Sequence, residues 1–181
     1  PTTVQQHLQD WLSMQFGKQV GERLIKPMTN FYKLSAIRRP EFMGWNEAPE
    51  QGVNALLSTE NKVANTDFSA EEFGNELERY INDYHDLSRS VSKIKDAVGN
   101  ELKDAYFTMV EYPVLASAAM ATKILQAQEA RLIGRVVSFH HDPDALEPAV
   151  RSVLAYRELK RLTDVYNTVT QQKWRGMMNM Q

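Results

Sequence analysis

Cysteine is absent from the chain, and with it go disulfides, thiolate nucleophiles and every sulfur-ligated zinc or iron–sulfur site. No apolar run approaches the roughly 20 residues that a membrane-spanning helix needs. The segment from Pro1 to Gln9 lacks the basic, then apolar, then small-residue order of a secretory signal. Charge of one sign is missing too: Lys and Arg total 21 against 23 for Asp and Glu, a formal net charge of −2, with both signs interleaved and no long block of either. That balance argues against nucleic acid or an anionic membrane as the main partner. Glycine is scarce, at 8 residues in 181, and neither a Gly-rich phosphate loop nor a G-x-S-x-G nucleophile elbow occurs.

What remains is an ordinary globular composition, 43% hydrophobic and 24% charged, in a chain the right size for one core. The helical period is its clearest signal. From Phe73 through Leu77, Tyr80, Ile81, Tyr84, Leu87, Val91 and Ile94 to Val98, steps of three and four draw one apolar stripe along a long helix. Ser69-Ala70-Glu71-Glu72 has the form of a capping box for its start, and Gly99-Asn100 for its stop. Two helices are expected before it, Thr3 to Phe16 and Lys18 to Arg38, the second bent near Arg23 to Lys26 by Pro27.

After the stripe the pattern predicts a short helix from Glu101 to Glu111, then a second beginning near Pro113 and running from Val114 to Phe139. Its alanines, among them Ala118, Ala119, Ala121 and Ala130, suit a central position where neighbouring helices approach closely. A last helix follows with Val150, Val153, Leu154, Leu162, Val165 and Val169 as its apolar face and Pro148 in its first turns. The period fades between Pro40 and Asp67, and no alternating run requires a strand. The fold class is all-α, a bundle of about five or six helices with one longer irregular loop. The chain opens at Pro1 without an initiator Met, directly into a helical pattern, so residues 1–181 read as a single domain excised from a larger polypeptide.

Few residues invite chemistry. His140-His141-Asp142 is the one cluster with metal-ligand types, but adjacent residues point apart on a helix and His7 and His85 are remote, so no metal site and no cofactor are expected. The carboxylate pairs Glu71 with Glu72, Glu76 with Glu78, and Asp83 with Asp86 read as a solvated helix surface beside Arg79, Arg89, Lys93 and Lys95. Trp45, with Arg39 and Asn46 in the same loop, is either a plug over the bundle end or a contact for a sugar or a partner. Met177, Met178 and Met180 near Trp174 form a soft apolar tail that needs a covering surface. No catalytic residue is assigned, and taken alone the chain is expected to catalyse nothing.

Several segments in order resemble the family 115 glycoside hydrolases, whose characterised members are xylan α-glucuronidases: Trp11 with Phe16-Gly17; Phe31-Tyr32-Lys33-Leu34 leading to Arg39-Pro40-Glu41; Asp104-Ala105-Tyr106-Phe107 with Val110 and Tyr112-Pro113-Val114; and Tyr166-Asn167 with Lys173-Trp174 and Met177-Met178. Gln171-Gln172 stand where that family often has two glycines. The resemblance implies a helical middle domain, with a catalytic (β/α)-barrel before it and a β-rich domain after it. It implies a parent that hydrolyses α-1,2-linked 4-O-methylglucuronic acid with inversion. Acid, base and uronate-binding groups would then lie in the barrel, and no position here matches a catalytic motif. The partners so implied are the other domains of the parent, glucuronoxylan through the parent, and a second copy in a homodimer; the location implied is secreted or periplasmic. Two other readings stand beside it: a substrate-contacting module whose loop from Pro40 to Asp67 reaches the active site, and an unrelated helical adaptor.

Overall fold

The computed structural model describes residues 3–40, 43, 64–136, 143–169, 173 and 175–178, with side chains at 134–136 and 143–145 excepted. Among these residues the chain is helical and contains no strand, as the period predicts. Helix α1, Val4–Phe16, starts where the Thr3 hydroxyl accepts the Gln6 N–H at 3.1 Å. One residue, Gly17 at φ 80, turns the chain into α2, Lys18–Ile37. The two helices touch closely enough that a Cβ at Gly21 would lie 2.6 Å from the Ser13 backbone. Helix α2 continues as one element through Pro27, which is buried.

Helix α3, Glu76–Lys95, begins later than the sequence predicts. Ser69 does cap a turn, its Oγ accepting from Glu71 N at 3.2 Å and Glu72 N at 2.9 Å. The turn then breaks, because Phe73, Gly74 and Asn75 all take positive φ, and Asn75 Oδ1 accepts Glu78 N at 3.1 Å as the true N-cap. Phe73 therefore leaves the stripe and is 72% exposed, whereas Leu77, Tyr80, Ile81, Tyr84, Leu87, Val91 and Ile94 are buried as expected.

The region around Pro113 also differs. A short helix α4, Lys103–Tyr106, passes through a π turn, Phe107–Glu111, directly into α5, Tyr112–Val136. Tyr112 N donates to Phe107 O, five residues back. Pro113 lacks the N–H that would meet the Met109 carbonyl and its ring crowds that group, so the backbone widens by one residue instead of stopping. One continuous helical rod thus replaces the two expected helices.

Helix α6, Pro143–Thr168, completes the row. The main packing partners run in chain order: α1 with α2, α2 with α3, α3 with α5, and α5 with α6. The alanine-bearing α5 is central, as expected, and α6 lies at the edge. Its inward face is Ala155, Leu159, Leu162 and Thr163: of the predicted face Leu162 is buried and Val165 and Val169 are half-buried, whereas Val150, Val153 and Leu154 are 47%, 50% and 54% exposed. Ala155 rather than a bulkier residue meets α5 because alanine against alanine lets the axes close up. Beyond α6 the Asn167 carboxamide holds the tail, accepting from Gly176 N and Met178 N and donating to Met178 O at 2.7 Å. Met177 stays 63% exposed. Trp174 and Met180 lie outside the described residues.

Candidate functional site

The cleft of the bundle lies where α3 and α6 flank α5, with a volume of about 540 Å³. Its floor is aliphatic, made by Ile81, Leu115, Ala118, Ala119 and Ala155, and its rim carries Glu78, Asn82, His85, Gln126, Arg151 and Glu158. Heptad-like spacing places these groups. Glu78, Asn82 and His85 follow one edge of the α3 stripe at intervals of four and three, and Thr122, Gln126 and Glu129 do the same on α5.

Gln126 is the hub. It is 1% exposed, and its Nε2 donates to Glu129 Oε2 at 2.8 Å and to Glu78 Oε2 at 3.3 Å. Its Oε1 is buried with no donor. Partial burial, and then the Glu78 charge, push the Glu129 carboxyl above the ordinary glutamate range. Arg151 lies 3.6 Å from Glu78 and makes its short contact, 2.7 Å, with Glu147. Glu158 is held by both arms of Arg161 at 2.7 Å.

His85 Nε2 lies 3.2 Å from Thr122 Oγ1. The Thr122 hydroxyl hydrogen is committed to Ala118 O at 2.8 Å, so His85 Nε2 is the donor. Partial burial, then the Arg89 charge, lower the His85 pKa. A second polar anchor sits further along α5. Gln128, 2% exposed, accepts from Thr66 N at 2.6 Å and Thr66 Oγ1 at 2.9 Å and donates to Phe68 O at 2.9 Å, fixing the segment that leads into α3.

Arg39 follows α2, exposed and away from the cleft; Trp45 and Asn46 lie outside the described residues, as do His140, His141 and Asp142. Glu71 and Glu72 are exposed, and so are Asp83 and Asp86, the latter paired with Arg89. Glu78 is the exception to the surface reading, since it lines the cleft with its side chain 31% exposed. The hub residue was legible as a polar side chain inside a helix expected to be central, a signal the alanine pattern overshadowed. Among the described residues no cluster of three or more metal-ligand side chains forms, and no helix is long and apolar enough to cross a membrane.

Fold and cleft together define an all-α bundle with an acidic, aliphatic-floored groove at one side. No protein-family model matches the chain, and neither does any curated protein. Among solved structures it is similar to BtGH115A, a family GH115 4-O-methyl-α-glucuronidase with specificity for decorated arabinogalactans. The likeness has a TM-score of 0.73 and 30% sequence identity, over 98% of this chain and 21% of that one. The chain thus spans about a fifth of that enzyme's length.

Proposed function

We propose that this chain is the helical domain of a GH115-type α-glucuronidase, that it carries no catalytic group of its own, and that it packs against the catalytic portion of a longer, secreted or periplasmic polypeptide. The observation that supports the reading most is the likeness over 98% of this chain to a stretch making up 21% of a much larger glucuronidase. A bundle matching so small a share of such an enzyme is suited to a scaffold role. The surface for packing is the outward row of α6, where Leu146, Val150, Val153 and Leu154 are between 47% and 63% exposed. Four aliphatic side chains on adjoining turns are costly to leave in water and are suited to cover by another surface, either the parent's remaining domains or a second copy in a homodimer.

The substrate in this reading is a polysaccharide bearing 4-O-methylglucuronic acid. Glucuronoxylan follows from the family resemblance and decorated arabinogalactan from the neighbour. The test is release of the uronic acid from both polymers by the 181-residue chain and by a longer polypeptide containing it. Activity in the longer polypeptide alone is expected. Activity in the 181-residue chain would overturn the scaffold role and move attention to Glu78 and Glu129.

A further inference from the structure

The cleft holds chemistry that packing within the bundle leaves unused. Glu78 has three donors around it, Gln126 Nε2 at 3.3 Å, Asn82 Nδ2 at 3.5 Å and Arg151 Nη1 at 3.6 Å. All lie at the long limit of a hydrogen bond, whereas a carboxylate is best satisfied by charge-assisted contacts near 2.7–2.9 Å. Beside it the buried Gln126 Oε1 has no donor at all. Among the charged side chains that line the cleft, the carboxylates Glu78 and Glu158 stand against the one guanidinium of Arg151, so the lining is acidic by one charge.

The character of the cleft decides among ligand classes. An acidic rim repels a uronate, and among the described residues no Phe, Tyr or Trp lines the cleft to stack a pyranose. A cation on an aliphatic stem suits both parts, its methylenes against Ile81, Ala118 and Ala119 and its charge beside Glu78. Such a group brings several donors, enough for Glu78 and Glu129 and, with a half-turn of the terminal amide, for Gln126 Oε1. Leu154 lines the cleft at 54% exposure and continues into the exposed Val150 and Val153, an apolar collar that a polypeptide covers and a free amine does not. We propose that the cleft receives a lysine or arginine side chain from a polypeptide surface seated on α6. Only the identity of that partner rests on the packing reading above; the chemistry belongs to this chain.

The test is a nuclear magnetic resonance titration of the ¹⁵N-labelled 181-residue chain with three probes. These are a capped peptide with one lysine between two leucines, the same peptide with norleucine for lysine, and n-butylammonium. Saturable shifts are expected at the Gln126 side-chain amide and at α3 amides around Glu78 with the lysine peptide. Binding at least tenfold weaker is expected for the norleucine peptide, for n-butylammonium, and for the lysine peptide against Glu78→Gln. Added salt is expected to weaken the lysine peptide in the unaltered chain, a readout that does not depend on how the variant folds. Absence of saturable shifts, equal binding of the norleucine peptide, or salt-independent binding would overturn the proposal. Equal or tighter binding of n-butylammonium would overturn the polypeptide assignment in favour of a free amine. A null titration leaves the activity comparison untouched, and an inactive longer polypeptide leaves the titration untouched, so the two readings fail separately.

Discussion

The α1–α3 side of the molecule and the α5–α6 side are built from different materials. On the first, Leu12, Leu24, Leu77, Ile81 and Val91 are at most 2% exposed, and the hydroxyls of Tyr80 and of Tyr106, from the adjoining α4, are spent on backbone carbonyls. Tyr80 donates to Leu34 O and Arg38 O, and Tyr106 to Val91 O at 2.7 Å. On the second, α5 buries Thr122, Lys123, Gln126 and Gln128 beside its alanines, while the first half of α6 turns its aliphatics outward. A core sealed by aromatic and aliphatic side chains needs nothing further. A pair of helices that buries polar groups and exposes Leu146, Val150, Val153 and Leu154 is suited to meet another surface.

The contrast is sharpest in the response to mutation. Leu24→Ala, at a fully buried site on the sealed side, is expected to cost about 2–5 kcal/mol. Chemical denaturation measures it, and a cost below 1 kcal/mol would show that α2 is not part of a closed core. Gln128→Leu strands the Thr66 and Phe68 backbone groups and is expected to cost about 2–3 kcal/mol. Faster amide exchange should accompany it at Thr66 and Phe68. Tyr106→Phe removes one hydrogen bond and keeps the ring, so about 1 kcal/mol is expected.

The cleft adds a pH signature. Glu129 has a raised pKa, so the folded chain holds a proton that the unfolded chain has already released as pH rises through the glutamate range. Its contribution is therefore lost with rising pH, and Glu129→Gln is expected to flatten the stability profile just above that range. His85 acts in the opposite sense: its lowered pKa means the unfolded chain takes up a proton first as pH falls through the histidine range, so acidification there destabilises the fold and His85→Gln removes that slope. Thermal unfolding across pH reads both slopes; an unchanged profile in Glu129→Gln would mean that its carboxyl is not half-buried beside the Glu78 charge. The smallest effect is expected on the outward face. Val153→Ser should change the stability of this chain by no more than about 0.5 kcal/mol.

The sealed side was largely legible in the sequence. Gly17 between two periodic segments marked the α1–α2 turn, and the stripe from Leu77 to Ile94 named the buried face of α3. The rest was obscured by competition between local signals. Ser69 and Asn75 both offer caps, and the left-handed run at Phe73 to Asn75 decided for the second. Proline normally signals a helix start, yet at Pro113 a π turn absorbed it. On α6 the aliphatic period was real, but only Leu162 of it is buried while Val150, Val153 and Leu154 face outward, because the sequence of one helix does not say whether its apolar row meets the bundle or another partner. Of the polar groups of the cleft, Glu78 was read as surface and His85 as remote; Glu78 on α3, Gln126 on α5 and Arg151 on α6 come together across three helices, which spacing alone does not reveal.

Hydroxyl-radical footprinting compares side-chain exposure directly, in the 181-residue chain alone and inside a longer polypeptide that contains it. Leu146, Val150, Val153 and Leu154 should become protected in the longer polypeptide, while Val4 and Met14, 89% and 73% exposed at the opposite end of the helix row, keep their reactivity. Equal reactivity of the α6 row in both would contradict its role as the surface through which this domain packs.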